Sequence, residues 1–353
     1  MTKAYLKRIA TAVPEHDIHE AFVNFAAGML LDPRARSIFQ RLVVKSGIGH
    51  RYSCLQVENS VAGGAPDAFA FYREGNFPAT AERMRIFERC APLLARKALD
   101  RLALDAEARN RIRHVVVSCC TGFYAPGLDF DIVDYLGLPQ STERTMVGFM
   151  GCYAAINALK LARHIVRSEP GANVLVVNLE LCTLHFHETQ DLGDVLAFLL
   201  FGDGCAASLV SSEPGGLEMD GFDAMGIENS RELITWRVGN MGFDMFLSTQ
   251  VPAQVAKAMK DNAALVAGDK PVDLWAVHPG GRAILDAVET GLALPPEALQ
   301  KSRAVLSSFG NMSSATVMFV LQRLMEEASA GQYGCAVSFG PGVVAEIMRF
   351  YAV

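Results

Sequence analysis

The chain has 353 residues, 51% hydrophobic and 20% charged, enough to bury one large core or two of medium size. No run approaches the roughly 20 apolar residues of a membrane span, and Lys3, Lys7, Arg8 and Pro14 interrupt any apolar leader, so a cytoplasmic location is expected. Residues 1–113 hold 18 Lys and Arg against 12 Asp and Glu, and the remainder 14 against 26; the positives are dispersed among acids, which disfavours a nucleic-acid face and fits a small polyanionic partner.

Taken in chain order, Val- and Ile-rich runs alternate with helical runs of ten or more residues, the pattern of an α/β protein with buried strands. The run at 114–119 reads as a strand and 153–167 as a helix that opens just after Gly151-Cys152. A strand follows at 173–179. The same series returns later, with a strand at 273–277, a helix at 314–327 opening after Gly310-Asn311, and a strand at 334–339. Val116 precedes Cys152 by 36 positions and Ala276 precedes Asn311 by 35, so a chain of two similar halves, 1–212 and 213–353, places Cys152 and Asn311 at equivalent helix starts.

The eight cysteines show no CxxC pair or framework spacing and sit in apolar company, as reduced buried thiols do. Cys152 stands apart because a helix start offers unpaired N–H groups and partial positive charge, both of which favour a thiolate. His278 closes a buried strand before a Pro-Gly-Gly turn, where a side chain can project into a cleft. Asn311 sits in a Gly-Asn turn. Each has a plain structural alternative: a core thiol, a turn histidine and a helix cap. The order Cys, His, Asn also occurs in papain-like hydrolases, but their local signature around the cysteine is missing.

The segments "GCYAA", "LFGDG", "AVHPGG", "GNMSS" and "SFGPG" together resemble the type III polyketide synthases, the chalcone-synthase-like branch of the thiolase superfamily, from about Thr11 to the C-terminus. The resemblance implies a five-layered αβαβα thiolase-like fold of two similar halves, a homodimer, no cofactor beyond the CoA thioester substrates, and no metal. It implies that Cys152 carries the acyl starter, while His278 supports the thiolate and, with Asn311, stabilises the enolate formed from malonyl-CoA. Cys120, Cys182, His185, Phe201, Trp236, Met245 and Ser313 match pocket-lining positions. Arg41 and Lys45 match two CoA-binding cations, whereas the third such position holds Ile38.

Met245 replaces a pocket phenylalanine of the plant enzymes, and a flexible thioether there fits a longer, fatty acyl starter giving alkylpyrones or alkylresorcinols. The alternatives are malonyl or small-acyl priming, a single condensation on an acyl carrier protein, and a non-catalytic acyl-CoA-binding scaffold. Cys182, His185, His187 and Glu188 could be mistaken for a metal site; strand alternation should put Cys182 on the face opposite the histidines, and no fourth ligand suggests itself.

Overall fold

The computed structural model describes residues 2–57 and 68–353. Its strands in chain order are β1 (Tyr5–Ala12), β2 (His16–Asp17), β3 (Tyr52–Ser53), β4 (Ile112–Cys119), β5 (Glu143–Gly148), β6 (Asn173–Leu181), β7 (Asp203–Ser211), β8 (Leu217–Gly226), β9 (Ile234–Gly239), β10 (Gly242–Leu247), β11 (Leu274–Val277), β12 (Tyr333–Gly340) and β13 (Val344–Ala352). Nine of them form one sheet in the order β11-β12-β13-β8-β1-β7-β6-β4-β5, while β9 pairs with β10 and β2 with β3.

The sheet reads alike from its middle outward. From β1, the pairings to β7 and β6 are antiparallel and those on to β4 and β5 parallel; from β8, the pairings to β13 and β12 are antiparallel and that on to β11 parallel. Only two residue pairs, Tyr5 with Glu218 and Leu6 with Leu217, join β1 to β8. That short seam lets the sheet turn while its ladder stays continuous.

Burial explains the uninterrupted apolar strands. Every residue of β6 is buried, as expected of a strand covered on both faces. Val116, Val174 and Val176 share one apolar cluster with Ala276, Ala336 and Met348 and with the helices Ala154–Ser168 and Thr316–Glu327. The alternate residues Val115, Val117 and Val177 pack instead with the helix Thr80–Leu102. On the other half, Trp275, Val277 and Val337 pack with the helices Val251–Asp261, Arg282–Gly291 and Gln300–Phe309.

The elements expected from the sequence appear with small shifts. The first helix runs Ala154–Ser168, and the expected helix at 314–327 divides into a 3₁₀ turn, Ser313–Ala315, and the helix Thr316–Glu327. Cys182–His185 is a 3₁₀ turn instead of a strand, so strand alternation does not apply there.

Candidate active site

The β4/β6 and β11/β12 pairs run in opposite directions along the ladder, and the two halves of the sheet pack on one central apolar cluster, so the C-terminal ends of these four strands meet where the halves face each other. Cys120, Cys182, His278 and Pro341 are the residues that follow these four strands. They line a cavity of about 700 Å³, together with Cys152, Phe201, Trp236, Met245, Asn311, Ser313 and Lys45. Volumes of this order hold drug-sized ligands.

Cys152 lies two residues before the helix Ala154–Ser168, in a turn closed by the Ala154 N–H donating to Gly151 O at 3.0 Å. Gly151 has a φ of +83°, and a Cβ there would fall 2.2 Å from Pro341 Cδ. Opposite, a Cβ on Gly340 would meet the Tyr153 ring at 2.7 Å and Cys152 N at 3.2 Å. The "GC" and "FGPG" segments therefore approach through two missing side chains. Beneath the turn, the Gly151 N–H donates to Cys120 Sγ at 2.9 Å, and Trp236 Nε1 donates to Cys120 O at 2.7 Å.

Burial pushes the half-buried Cys152 thiol up to about 11, with hydrogen bonds from Ser313 and Asn311 opposing the rise. Burial pushes the His278 imidazole down to about 3. His278 is 1% exposed, its backbone N–H donates to Val337 O, and neither ring nitrogen has a protein partner. A buried polar group in that state calls for a ligand or solvent partner. A neutral imidazole facing the cavity has one N–H to donate and one lone pair to receive a proton. Burial therefore disfavours charge on both the Cys152 thiol and the His278 imidazole, which share the cavity wall.

Asn311 is both a cap and a cavity residue. Its Oδ1 accepts from the Ser313 N–H at 2.8 Å and the Thr316 hydroxyl at 3.3 Å, which fixes the amide, and one Nδ2 proton goes to Gly280 O at 3.2 Å. The second Nδ2 proton is the one that can serve the Cys152 sulfur, so the amide presents its remaining donor where the nucleophile sits. The Asn311 N–H donates to Leu200 O and Gly202 N–H to Asn311 O, tying Phe201 to the asparagine turn.

Two expected site residues lie elsewhere. His185 is fully buried behind the wall: Nε2 donates to Thr121 O at 2.6 Å, Nδ1 accepts from the Phe243 N–H at 3.1 Å, and its ring meets Trp236 edge-on. It supports the Trp236 wall without lining the cavity. Arg41 is exposed on the helix Pro33–Ser46, one turn before Lys45, and its Nε contacts Ser37 O; only Lys45 of that expected pair lines the cavity.

Sequence reading missed Glu180. It is fully buried and accepts from Cys120 N–H and Thr121 Oγ1, both at 2.9 Å, and from Ser314 Oγ at 2.5 Å. Burial pushes its carboxyl up to about 7, against these hydrogen bonds. The network joins the residue after β4 to the turn after Asn311. Its signal was present, since a lone carboxylate in "VLVVNLEL" must find donors once the strand is buried. Arg282, also missed, lines the cavity at the start of its helix. Among the described residues, no three His, Cys, Asp or Glu side chains gather as a metal site, and no helix is long and apolar enough to cross a membrane.

A thiol, an imidazole and an amide donor converging on one large cavity suit an enzyme that handles acyl groups as thioesters. Residues 2–214 match the N-terminal domain, and residues 224–353 the C-terminal domain, of the chalcone and stilbene synthases. The chain belongs to that family and is a type III polyketide synthase, an acyltransferase. It is 33% identical to the alpha-pyrone synthesis polyketide synthase-like Pks18 of Mycobacterium tuberculosis, covering 99% of this chain and 91% of that one. It is 31% identical to the 1,3,6,8-tetrahydroxynaphthalene synthase of Streptomyces coelicolor, covering 98% and 91%. Among solved structures, PKS-I of the brown alga Ectocarpus siliculosus superposes with a TM-score of 0.89 at 30% identity, covering 100% of this chain and 99% of that one.

Proposed function

We propose that the protein condenses malonyl-CoA iteratively onto a fatty acyl starter held by Cys152 and cyclises the product to an alkylpyrone or alkylresorcinol. The observation that carries this reading is the convergence of Cys152, the unpartnered His278 ring and the oriented Asn311 amide in one cavity. The Cys152 sulfur attacks the acyl-CoA carbonyl and CoA leaves as its thiol, with His278 receiving the cysteine proton and returning it to the leaving sulfur. Malonyl-CoA then loses carbon dioxide, and His278 and Asn311 donate hydrogen bonds to the enolate oxygen. The enolate carbon attacks the acyl-Cys152 carbonyl, a carbon–carbon bond forms, and the Cys152 thiolate is released for another round.

The apolar lining near Met245, including Phe201, Ile234 and Leu247, supports an alkyl starter, as does the name of the Mycobacterium relative. The Streptomyces relative, at nearly the same identity, supports a second reading with malonyl or small-acyl priming. We also read the fold as five layers in two halves divided at 212/213, supported by the mirrored strand order and by the central cluster between two outer ones. A homodimer in the cytoplasm completes the reading. Strand β5 lies at a sheet edge with Met146 exposed, Phe149 and Met150 follow it exposed, and the exposed Phe123 meets the same Phe243 ring as Phe149, a surface that a second copy can cover.

The test is mass spectrometry of products from malonyl-CoA with acyl-CoAs of graded length, beside Cys152→Ala. Products of two or more extensions that vanish in the variant are expected, with rates highest for long starters. Short starters winning decisively would transfer the assignment to the second reading. A carrier-dependent product one extension long would indicate a single condensing step instead, and acyl-CoA binding that survives Cys152→Ala with no product from either protein would indicate a scaffold.

A further inference from the structure

The cavity rim carries a cation that the resemblance does not supply. Of the three positions expected to bind CoA phosphates, one holds Ile38, and a second, Arg41, does not line the cavity. Among the described residues, the Lys and Arg side chains that line it are Lys45 and Arg282. They come from separate parts of the chain, Lys45 from the last turn of Pro33–Ser46 and Arg282 from the first residue of Arg282–Gly291. The two elements meet there, with Arg282 Nη1 donating to Lys45 O at 3.3 Å.

Arg282 is only loosely engaged by acid. Asp286, which also lines the cavity, lies 3.7 Å from Arg282 Nε but only 2.7 Å from Arg303 Nη2. Its charge is thus met chiefly by Arg303, and the Arg282 side chain remains 57% exposed. An exposed i,i+4 pair of this kind contributes little to stability, so its breaking offers little resistance to a ligand. A guanidinium presents five donors in a planar fork that matches two phosphate oxygens, whereas a lysine acts as a point charge.

The geometry points to Arg282 as a phosphate-binding residue that, with Lys45, holds the nucleotide end of the CoA thioester at the cavity rim, taking over from the cation absent at Ile38. This inference rests on the reading of CoA thioesters as substrates. Arg282 determines the preference for the phosphorylated carrier and takes no part in bond making or breaking.

The experiment compares kcat/KM for CoA thioesters with that for the matching N-acetylcysteamine thioesters, which carry the same acyl groups without nucleotide or phosphate. Wild type should prefer the CoA form. In Arg282→Glu the CoA to N-acetylcysteamine ratio should fall about tenfold or more through a raised KM, and in Arg282→Lys, which keeps the charge without the fork, it should fall less than in Arg282→Glu. Added salt should compress the wild-type ratio toward that of Arg282→Glu. A ratio that Arg282→Glu leaves unchanged, whether both activities hold or fall together, overturns the assignment of Arg282 alone. A wild-type enzyme with no CoA preference overturns the CoA reading itself, and the inference with it.

Discussion

Gly151→Ala tests whether the nucleophile turn is fixed by packing as well as by backbone conformation. At a φ of +83°, any L side chain costs about 1–2 kcal/mol. The new methyl would also stand 2.2 Å from Pro341 Cδ and 2.7 Å from Cγ, where carbon atoms in contact prefer about 3.5–4.0 Å. The proline ring has no rotamer in which to retreat, so the two turns must separate by more than about 1 Å, and overpacking of that kind costs about 1–3 kcal/mol. The sum is about 2–5 kcal/mol. Gly137 supplies the control, since its φ is +62° and a Cβ there meets nothing within 4 Å, leaving only the backbone cost.

For 353 residues, an unfolding entropy of about 2.1 cal/mol/K per residue converts each kcal/mol to roughly 1.4 °C of melting temperature. Gly137→Ala should therefore lose about 1–3 °C and Gly151→Ala about 3–7 °C by circular dichroism. Because Cys152 is the next residue, its single-turnover acylation, followed by intact mass, should also slow by more than about tenfold in Gly151→Ala. Equal melting losses in the two variants, with wild-type acylation in both, would refute the reasoning: Pro341 would then be yielding freely and could not be what positions the thiol.

Other changes probe the same site. Asn311→Ala removes the amide donor beside the Cys152 sulfur, so condensation should slow on the order of a hundredfold while acyl loading of Cys152 persists, measured by product formation against intact mass. Glu180 has a folded pKa raised from 4.5 to about 7, so the folded state binds its proton more tightly than the unfolded state. Its contribution to stability is accordingly lost as pH rises from about 4.5 to 7, by about 3 kcal/mol in all. Glu180→Gln keeps the shape without the charge and should gain roughly 1–3 kcal/mol relative to wild type between pH 5 and pH 8 in denaturant titrations, and a pH-independent difference would mean the carboxylate is stable as an anion. Met245→Trp fills part of the cavity and should shift the rate profile toward shorter acyl starters; an unchanged profile would place the starter elsewhere.

Much of this architecture can be read from sequence because its signals are local. Val-rich strands announce burial, Gly151 and Pro279 punctuate the places where strands hand over to helices, and Gly310 marks the turn between two helices. Those junctions free side chains from the regular elements, which is why Cys152, His278 and Asn311 stand out before any contact is known. His185 behaves differently. Its position follows Cys182 in a 3₁₀ turn, and only the tertiary contacts with Thr121 and Phe243 decide that it faces away from the cavity.

The CoA-facing cations show most clearly where sequence reasoning stops. Arg41 and Lys45 are four residues apart and share a helix face, so sequence offers no reason to separate them. Yet the helix turns Leu42, Lys45 and Ser46 to the cavity, while Arg41 stays exposed outside it with its Nε against Ser37 O. Arg282 carries no periodic or compositional mark, because what distinguishes it is a contact with a backbone carbonyl 237 positions away. A catalytic nucleophile must sit at a particular backbone junction and so leaves a motif, whereas a phosphate needs only positive charge within reach. Any element that ends at the rim can supply that charge, and the residue that does so is therefore fixed by the fold and is silent in the sequence.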